Sequence, residues 1–446
     1  MLAAGQGKRM RSSLPKVLHP LAGRAMVRHV VQAAREAGFE RCFVVVAPAS
    51  AGAVRAALGD GVAYVTQTEP LGTGDAVQRA REATGDCEQV LVLNGDVPLI
   101  TGETLAGLAR SHEEQSADLT FLTAQAEDAG EYGRVQRDAD DRVLGVVEAP
   151  ERAEAAGGPA EINAGQYCFR AAWLWSRLEE LPRAANGERY LTSLIAIAVD
   201  EGAAVQAELA DTDEVRGIND REQLTHVEAL LRRRINRRHL LAGVTLIDPA
   251  TTYIDADVTI GQDTTIEPNT YLRGATVIGR DCRIGPNSML RDATAGDRCR
   301  IVASTVEEAT LEEDVAVGPY SRLRPGAYLG SGVEMGNFAE VKNARLGRGV
   351  KMHHFSYIGD AEVGDETNIG AGTITCNYDG LVKSRTVIGR GVFIGSDTML
   401  VAPVTVGDGA RTGAGSVVTK DVPPGALAVG APARIARGAG ERAAET

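Results

Sequence analysis

The sequence predicts an α/β domain with a mostly parallel sheet, followed by a left-handed parallel β-helix of hexapeptide repeats. Three observations support this fold class. Short apolar runs alternate with helical patterns over residues 1–220, and from residue 254 onward the inward-type residue recurs every six positions in three stretches, 254–290, 317–341 and 388–418. Glycine is abundant, at 51 of 446 residues, while aromatic residues make up only 4 %. Many small residues and few rings are typical of a thin, turn-rich structure.

Residues 1–220 are predicted to form the α/β domain, with a Rossmann-like sheet. Phe43–Val46 and residues 90–93 are continuous apolar runs whose length suits strands buried on both faces of a parallel sheet. Residues 26–37 carry apolar side chains at helical spacing, as expected of a helix that covers such a sheet. Residues 2–5 have the character of a strand end that enters a phosphate loop, so we expect the first strand to be truncated.

Residues 221–243 are predicted to form a helical linker. Leu224, Val227 and Leu231 recur at helical spacing, and Gly243 is a plausible stop. The arginines of residues 232–238 indicate a solvated helix face. The chain as a whole carries a formal charge of −13, which argues against a broad surface for nucleic acid.

Residues 244–446 are predicted to form the β-helix. Each hexapeptide supplies one short strand and a turn, with its aliphatic side chain inward, and three hexapeptides close a triangular coil. A period of six fits neither an α-helix nor a single strand. A segment between Ile369 and Ile388 interrupts the repeat and is expected to leave the coil as a side loop. The inward residues are expected to be Ile254, Ile260, Ile266, Leu272, Ile278, Ile284, Leu290, Val317, Leu323, Leu329, Met335, Val341, Leu346, Val363, Ile388, Ile394, Leu400, Val406, Thr412 and Val418.

The cysteines and the hydropathy pattern favour a cytoplasmic protein. The six cysteines form no C-x-x-C pair and no zinc-finger spacing, which is typical of scattered reduced thiols. No apolar run approaches the ~18 residues of a membrane span, and no signal peptide opens the chain.

Two motifs of the first domain point to phosphate and cation binding. The loop at residues 2–10, together with Lys16, combines small residues with positive charge, so its backbone N–H groups can donate to a phosphate. Asp96 follows a buried strand, where the ligands of α/β sheets bind, and its carboxylate suits magnesium. Taken alone, the first motif also fits an ordinary strand–helix turn, and the second fits a turn or cap residue.

These motifs, with Gln67 and residues 71–74, 132–134, 161–165 and 217–219, resemble those of sugar nucleotidyltransferases. With the hexapeptide repeats, nearly the whole chain is similar to the family of bifunctional N-acetylglucosamine-1-phosphate uridyltransferases/glucosamine-1-phosphate acetyltransferases. The resemblance implies two reactions of UDP-N-acetylglucosamine synthesis, which feeds peptidoglycan and lipopolysaccharide synthesis. Acetyl-CoA acetylates glucosamine 1-phosphate, and UTP then reacts with N-acetylglucosamine 1-phosphate to release pyrophosphate.

For the first domain, the resemblance implies a magnesium ion (Mg²⁺) shared by Asp96 and Asn219. Arg9 and Lys16 would manage the negative charge of the reacting phosphates. The nucleotide and sugar site is expected to comprise Leu2, Ala3, Ala4, Gly5, Lys16, Gln67, Gly72, Thr73, Asn94, Gly95, Asp96, Gly133, Glu148, Asn163 and Asn219.

For the second domain, the resemblance implies that His354, and not His353, is the catalytic base. An imidazole that titrates near neutrality suits removal of a proton from the sugar amine. Family members are homotrimers with this site between neighbouring prisms. The remaining site residues are expected to be Arg324 and Lys342 for the sugar phosphate, Tyr357 and Asn368 for the sugar, and Ala371, Asn377, Tyr378, Ser396 and Ala414 for acetyl-CoA.

Two other functions remain compatible with the fold class. One is a monofunctional sugar-nucleotide pyrophosphorylase whose β-helix only assembles or regulates the enzyme. The other is a non-enzymatic scaffold, although that reading leaves Arg9, Lys16, Asp96 and Asn219 unexplained.

Overall fold

The structure is a computed structural model that describes residues 1–5, 7–148 and 158–438. Contacts divide the chain into two compact units, Met1–Leu231 and Arg232–Thr446. The division lies within a single helix, Arg221–Leu241, in the stretch predicted as a helical linker. In the part of the chain so described, no helix is both long enough and apolar enough to span a membrane.

The first unit alternates strands and helices. Short 3₁₀ helices at Lys8–Met10 and Lys16–Leu18 follow the first strand. The elements in chain order are β1 (Leu2–Ala3), β2 (Pro20–Leu21), β3 (Arg24–Ala25), α1 (Met26–Glu36), β4 (Phe43–Val46), α2 (Ala51–Leu58), β5 (Ala63–Thr66), α3 (Thr73–Thr84), β6 (Gln89–Val92), α4 (Gly102–Glu114), β7 (Leu119–Ala126), β8 (Arg134–Arg137), β9 (Val143–Val147), β10 (Ala160–Arg170), α5 (Ala171–Arg177), α6 (Ser193–Asp200), β11 (Val205–Leu209) and α7 (Arg221–Leu241).

Parallel strands form the part of the sheet that carries the glycine-rich loop. β1 pairs with β4 and β4 with β5, all parallel, and Leu2 also forms a parallel bridge to Asn94 just after β6. Val44, Val45 and Val46 are buried, as the apolar run predicted. The carboxyl ends of β1, β4 and β6 therefore meet at one edge, and the predicted α/β fold is confirmed.

The other part of the sheet is mixed, which the sequence patterns did not reveal. The long strand β10 runs antiparallel to β6, β7 and β8, while β11 is parallel to β7. Phe121, Tyr167 and Phe169 on these strands stack one on the next, and Phe169 stacks on Trp173 within the same buried cluster.

The second unit is a parallel β-helix. In the described residues its short strands form three sheets, each made of successive coils. One face comprises Thr245–Leu246, Thr265–Ile266, Arg283–Ile284, Arg300–Ile301, Ala316–Val317, Glu334–Met335, Lys351–Met352, Asn368–Ile369, Phe393–Ile394, Arg411–Thr412, Ala426–Val429 and the antiparallel Arg434–Gly438. The second comprises Thr252–Ile254, Thr270–Arg273, Met289–Arg291, Thr305–Glu307, Arg322–Leu323, Ala339–Lys342, Ser356–Gly359, Ile374–Cys376, Met399–Val401 and Val417–Val418. The third comprises Thr259–Ile260, Val277–Ile278, Thr294–Ala295, Thr310–Leu311, Tyr328–Leu329, Arg345–Leu346, Ala361–Val363, Thr386–Ile388 and Val404–Val406.

The hexapeptide residues line the interior of this helix, as predicted. They are buried at every position expected to point inward except Ile260, which is half-buried on the first coils. The C-terminal part of α7 packs on the same coils: Asn236 Nδ2 donates to Pro249 O at 2.9 Å, and the Arg232 guanidinium lies 4.5 Å from the centre of the Tyr253 ring. The buried hexapeptide residues give the β-helix a narrow, aliphatic interior.

The interruption of the repeat is also seen. The chain leaves the coil after Ile374–Cys376 and rejoins it at Thr386–Ile388. Within this excursion, an antiparallel bridge joins Tyr378 to Lys383, so the segment is a small hairpin on the side of the coil.

Candidate functional sites

A cavity of about 680 Å³ opens at the carboxyl edge of the parallel strands in the first unit. Most of the residues predicted to bind the nucleotide line it. A side chain at residue 95 would crowd β1, because a Cβ on Gly95 would lie 2.9 Å from Leu2 O. Glycine therefore lets the segment after β6 lie close to β1. The lining residues are Leu2, Ala3, Ala4, Gly5, Gly7, Lys8, Arg9, Lys16, Val17, Gln67, Pro70, Gly72, Thr73, Ala76, Asn94, Asp96, Glu188, Tyr190 and Asn219.

A cationic group lies between the two predicted magnesium ligands. The Lys16 Nζ atom is 2.5 Å from Asp96 Oδ2 and 3.0 Å from Asn219 Oδ1. Asn219 reaches this position because Ile218 N donates to Asp96 O at 3.0 Å and Asn219 N donates to Gln223 Oε1 at 2.6 Å. Gln223 is a supporting residue that no motif indicated.

The donor set suits a hard cation that also binds phosphate. A carboxylate oxygen and an amide oxygen converge on one positive charge, and both are ligands that Mg²⁺ accepts. The described residues hold no cluster of three or more His, Cys, Asp or Glu side chains arranged for a metal. Two protein ligands with phosphate oxygens and water completing the shell is the arrangement that Mg²⁺ usually adopts.

Arg9 forms an ion pair with Glu131, a residue that no sequence motif indicated. Both side chains are more than half exposed, so the pair contributes little stability. The hydrogen bond that the Arg9 guanidinium donates to Glu131 raises the pKa of Arg9 above its usual value, and the charges of Glu131, Asp220 and Asp96 act in the same direction. Arg9 lies at the cavity mouth, and it must exchange Glu131 for any phosphate that it binds.

The three predicted sugar-binding residues form a second cluster, outside the lining of the cavity just described. Asn163 N donates to Gly133 O at 2.9 Å, and a Cβ on Gly133 would lie 3.4 Å from Glu148 Oε2. Thr192 Oγ1 donates to Glu148 Oε1 at 2.7 Å, which fixes that carboxylate. A remote strand pairing thus brings the predicted residues together.

In the second unit, three basic side chains face one another across neighbouring coils. Arg324 pairs with Glu340 at 2.9 Å, and this hydrogen bond raises the pKa of the guanidinium. Lys383, on the side hairpin, lies beside Lys342 and lowers the pKa of its ammonium, with a further contribution from Arg324. Glu340 and Lys383 belong to this group although no sequence motif identified them. Such a group can bind a phosphate.

The adjacent histidines differ in their environments. His353 Nε2 lies 2.9 Å from Glu334 Oε2. His354 is exposed, and no hydrogen bond or ion pair links it to another described residue; its ring meets His353 edge-on at 6.5 Å between centroids. Among residues 158–438, no bond joins His354 to Arg324 or Lys342. His354 is thus accessible to a substrate, whereas His353 already has a carboxylate partner.

The residues predicted to bind acetyl-CoA occupy successive coils. Asp397 N donates to Ala371 O at 2.6 Å and Gly415 N donates to Ser396 O at 2.8 Å, so Ala371, Ser396 and Ala414 lie on three stacked turns. Asn368, which is predicted to bind the sugar, lies on one of these coils, and its strand pairs with Lys351 on one side and with Phe393 on the other.

The side hairpin carries two further residues that are predicted to bind acetyl-CoA. Tyr357, which is predicted to bind the sugar, lies on a neighbouring coil. Asn377 Nδ2 donates to Asp360 Oδ2, which anchors the start of the hairpin. Tyr378 is 59 % exposed, and its hydroxyl donates to Gly380 O at 2.6 Å. Tyr357 pairs with Glu340 on one side and Ile374 on the other. Its hydroxyl lies over Gly359, where a Cβ would collide with it.

These two sites define a nucleotidyltransferase unit joined to a hexapeptide-repeat transferase unit. The family model of the MobA-like NTP transferase domain matches residues 1–201. The family model of the bacterial transferase hexapeptide repeat matches residues 257–292 and 385–420.

The chain belongs to the GlmU family. Relatives named "Bifunctional protein GlmU" from Pelobacter propionicus, Heliobacterium modesticaldum and Mycobacterium tuberculosis are 47 %, 48 % and 46 % identical over 436, 432 and 442 residues. These alignments cover 96 %, 96 % and 97 % of this chain and 94 %, 94 % and 89 % of the respective relatives. The chain is therefore a bifunctional enzyme, a nucleotidyltransferase and an acetyltransferase.

Proposed function

We propose that the cavity of the first unit transfers a uridyl group from UTP to N-acetylglucosamine 1-phosphate. The observation that carries the assignment is the convergence of Asp96 Oδ2 and Asn219 Oδ1 on one cationic atom at the glycine-rich loop. A phosphate oxygen of the sugar attacks the α-phosphorus of UTP, the bond from that phosphorus to the bridging oxygen breaks, and pyrophosphate leaves with the electron pair. The nucleophile is already anionic and needs no general base.

The protein's task in this reaction is to align the phosphates and to balance their charge. Asp96 and Asn219 would hold Mg²⁺, which would neutralise negative charge on the phosphates. Lys16 then moves from these two oxygens to a phosphate, and Arg9 leaves Glu131 for the departing pyrophosphate. Gly133, Glu148 and Asn163 bind the amino sugar, while Gln67, Gly72 and Thr73 bind the uridine.

The second unit acetylates glucosamine 1-phosphate with acetyl-CoA. His354 takes a proton from the sugar ammonium, the freed amine attacks the thioester carbonyl, and the carbon–sulfur bond breaks. Coenzyme A leaves as a thiolate and takes up the second proton that the nitrogen releases as the amide forms. Arg324 and Lys342 bind the sugar phosphate, Tyr357 and Asn368 bind the sugar, and Ala371, Asn377, Tyr378, Ser396 and Ala414 line the acetyl-CoA site. The exposure of His354 beside a paired His353 supports this assignment.

The order of the two reactions is tested with one mixture. Protein incubated with glucosamine 1-phosphate, acetyl-CoA, UTP and magnesium should form UDP-N-acetylglucosamine. Omission of acetyl-CoA should stop the sequence at glucosamine 1-phosphate, and omission of UTP should stop it at N-acetylglucosamine 1-phosphate. Pyrophosphate release from UTP when N-acetylglucosamine 1-phosphate is supplied externally, without any thiol release from acetyl-CoA, would instead support a monofunctional pyrophosphorylase.

The second site is completed by a neighbouring copy in a cytoplasmic homotrimer. The apolar tip of the side hairpin supports this assembly: Leu381 and Val382 are 91 % and 61 % exposed, and burial of such side chains favours association. The double substitution Leu381→Ser with Val382→Ser should lower both the trimer fraction in sedimentation and acetyl transfer, and it should leave uridyl transfer intact. An unchanged trimer with full acetyl transfer would contradict this role of the hairpin.

A further inference from the structure

Gln67 occupies a fixed position at the floor of the nucleotide cavity. It follows β5, its backbone N donates to Val46 O at 2.9 Å, and only 6 % of the residue is exposed. Its side chain lines the cavity. What a bound base would meet therefore depends on the orientation of the Gln67 amide, because either its oxygen or its NH₂ group can face the base.

Two acceptors decide that orientation. Gln67 Nε2 donates to Asp75 Oδ2 at 2.9 Å and to Gly72 O at 3.1 Å. A carboxylate and a backbone carbonyl offer no hydrogen to donate, so a flipped amide would place its oxygen against both of them. In this buried setting two opposed acceptors are strongly unfavourable, and the flipped state is excluded. The orientation therefore follows from the chemistry of the partners.

Both acceptors are held in place. Asp75 lies in the first turn of α3, where a carboxylate is favoured, is 8 % exposed, and forms an ion pair with Arg79 at 3.3 Å. Gly72 has a φ of 97°, and a Cβ there would lie 2.5 Å from Arg189 O, so its carbonyl cannot easily turn away. Asp75 is the acceptor whose chemistry a single substitution can change.

We propose that Asp75 is a positioning residue that sets the base specificity of the nucleotide cavity. With the NH₂ group committed to Asp75 and Gly72, Gln67 presents Oε1, which accepts no hydrogen bond from another described residue. This oxygen accepts from a pyrimidine whose N3 carries a hydrogen, as in uracil, and repels cytosine, whose N3 is itself an acceptor. The inference rests on the proposed binding of a uridine nucleotide at Gln67.

The substitution Asp75→Asn tests this selection. Asparagine keeps the shape of aspartate but its amide can donate as well as accept, so only Gly72 O still opposes the flipped amide of Gln67. The flipped orientation, which turns the Gln67 NH₂ group toward the base, then becomes populated. The kcat/KM for UTP divided by that for CTP should fall ~10-fold or more. Asp75→Glu retains a carboxylate acceptor and should keep the preference for UTP. Asp86→Asn, an exposed change of the same kind in the same unit, is the matched control and should leave the ratio unchanged.

The outcomes separate the inference from the proposed function. A wild-type protein that makes no UDP-sugar from UTP would overturn the proposed function. A wild-type protein that strongly prefers UTP, with Asp75→Asn retaining the same UTP/CTP ratio, would overturn the role of Asp75 alone. If the Asp75→Asn protein does not fold by circular dichroism, Asp75→Ser is measured in its place, because a hydroxyl can also donate to Gln67 Oε1 and should give the same loss of preference.

Discussion

Lys16 shows how one residue can stabilise a site before its ligands arrive. The side-chain oxygens of Asp96 and Asn219 lie 2.5 and 3.0 Å from the Lys16 ammonium. Without a cation between them, these two oxygens would repel each other. The Lys16 side chain is mostly buried, at 12 % exposed, so this pairing is less screened by solvent than the exposed pair of Arg9 with Glu131. In the proposed reaction both basic side chains exchange a carboxylate for a phosphate.

Arg9→Ala should reduce uridyl transfer by ~10²-fold or more and leave acetyl transfer unchanged, because one charge that stabilises the transferring phosphates is lost. Pyrophosphate release and thiol release, measured on the same preparation, check this. Glu131→Gln, which frees Arg9 without removing it, is the control and should retain uridyl transfer. Equal loss of both activities in the Arg9→Ala protein would count against the assignment.

His354→Ala should abolish acetylation, because the sugar amine is then left without a base, and UTP turnover should persist. Thiol release from acetyl-CoA measures the first activity. The matched variant is His353→Ala, which removes only the side chain paired with Glu334 and should keep most of the acetyl transfer. If His353→Ala were the inactive protein instead, the base would be assigned to the wrong member of the pair.

At the scale of the elements, the coils of the β-helix stack so closely that particular turns have no room for a side chain. Gly336 follows the Glu334–Met335 strand, and a Cβ on it would collide with the backbone carbonyl of His353 on the next coil. The turn that presents His353 and His354 is therefore positioned by a glycine one coil earlier. This contact couples packing of the coil to the proposed acetyl-transfer site.

Gly336→Ala should destabilise the second unit by about 1–3 kcal/mol and lower acetyl transfer, since the two coils must move apart to admit the methyl group. Chemical denaturation and thiol release measure the two effects. Gly107→Ala is the control: it places the same methyl group in open space on α4 and should not destabilise the protein. An unchanged stability of the Gly336→Ala protein would show that the coils adjust freely.

The helix α7 contains a buried titratable group near its C-terminal end. His239 is 5 % exposed, and desolvation, aided by the charge of Arg238, lowers its pKa to about 4. Its pKa in the unfolded chain is about 6.5, so the unfolded state binds the proton more tightly. The stability that this histidine contributes is present above pH ~6.5 and is lost as the pH falls toward 4.

His239→Gln should therefore reduce the loss of stability between pH 7 and pH 5 by about 2 kcal/mol. Denaturant unfolding at the two pH values, followed by a signal from the β-helix, gives the measurement. His226→Gln, an exposed change on the same helix, should leave the pH dependence as it is in the wild type. Identical pH profiles for all three proteins would mean that His239 takes up a proton without cost in the folded state.

At the scale of the whole molecule, the two units obtain their stability in different ways. The first collects aliphatic and aromatic side chains into clusters between helices and a mixed sheet. The second repeats one small aliphatic interior coil after coil, so each coil needs only its neighbours. The glycine excess is explained mainly by this second unit, where many turns take a positive φ or a close backbone contact.

Periodic features were predictable in detail. The apolar run at β4 and the helical spacing of α1 and α7 gave elements within a residue or two of those observed. The hexapeptide positions were buried as expected, with Ile260 half-buried near the start of the helix. Such patterns are local, because burial of one face repeats with the period of the element that carries it.

Partners distant in the chain were not predictable from these patterns. Glu131 beside Arg9, Gln223 behind Asn219, Glu340 beside Arg324 and Lys383 beside Lys342 carry no motif of their own. Each of these contacts depends on a turn or a strand pairing that joins separate segments. Asp75 is the instructive case, since its sequence position suggests only a favourable helix start, and its contact with Gln67 gives it a further role.

The two kinds of architecture and the motif residues of both proposed sites were predictable from the chain alone, because hydrophobic period and short glycine-rich motifs are properties of neighbouring residues. Which polar groups meet depends instead on the three-dimensional fold, which places the ammonium of Lys16 between Asp96 and Asn219 and the amide of Gln67 against Asp75. The physical reason is that a hydrogen bond or an ion pair depends on distance in space, and pairing of remote strands and coils sets that distance.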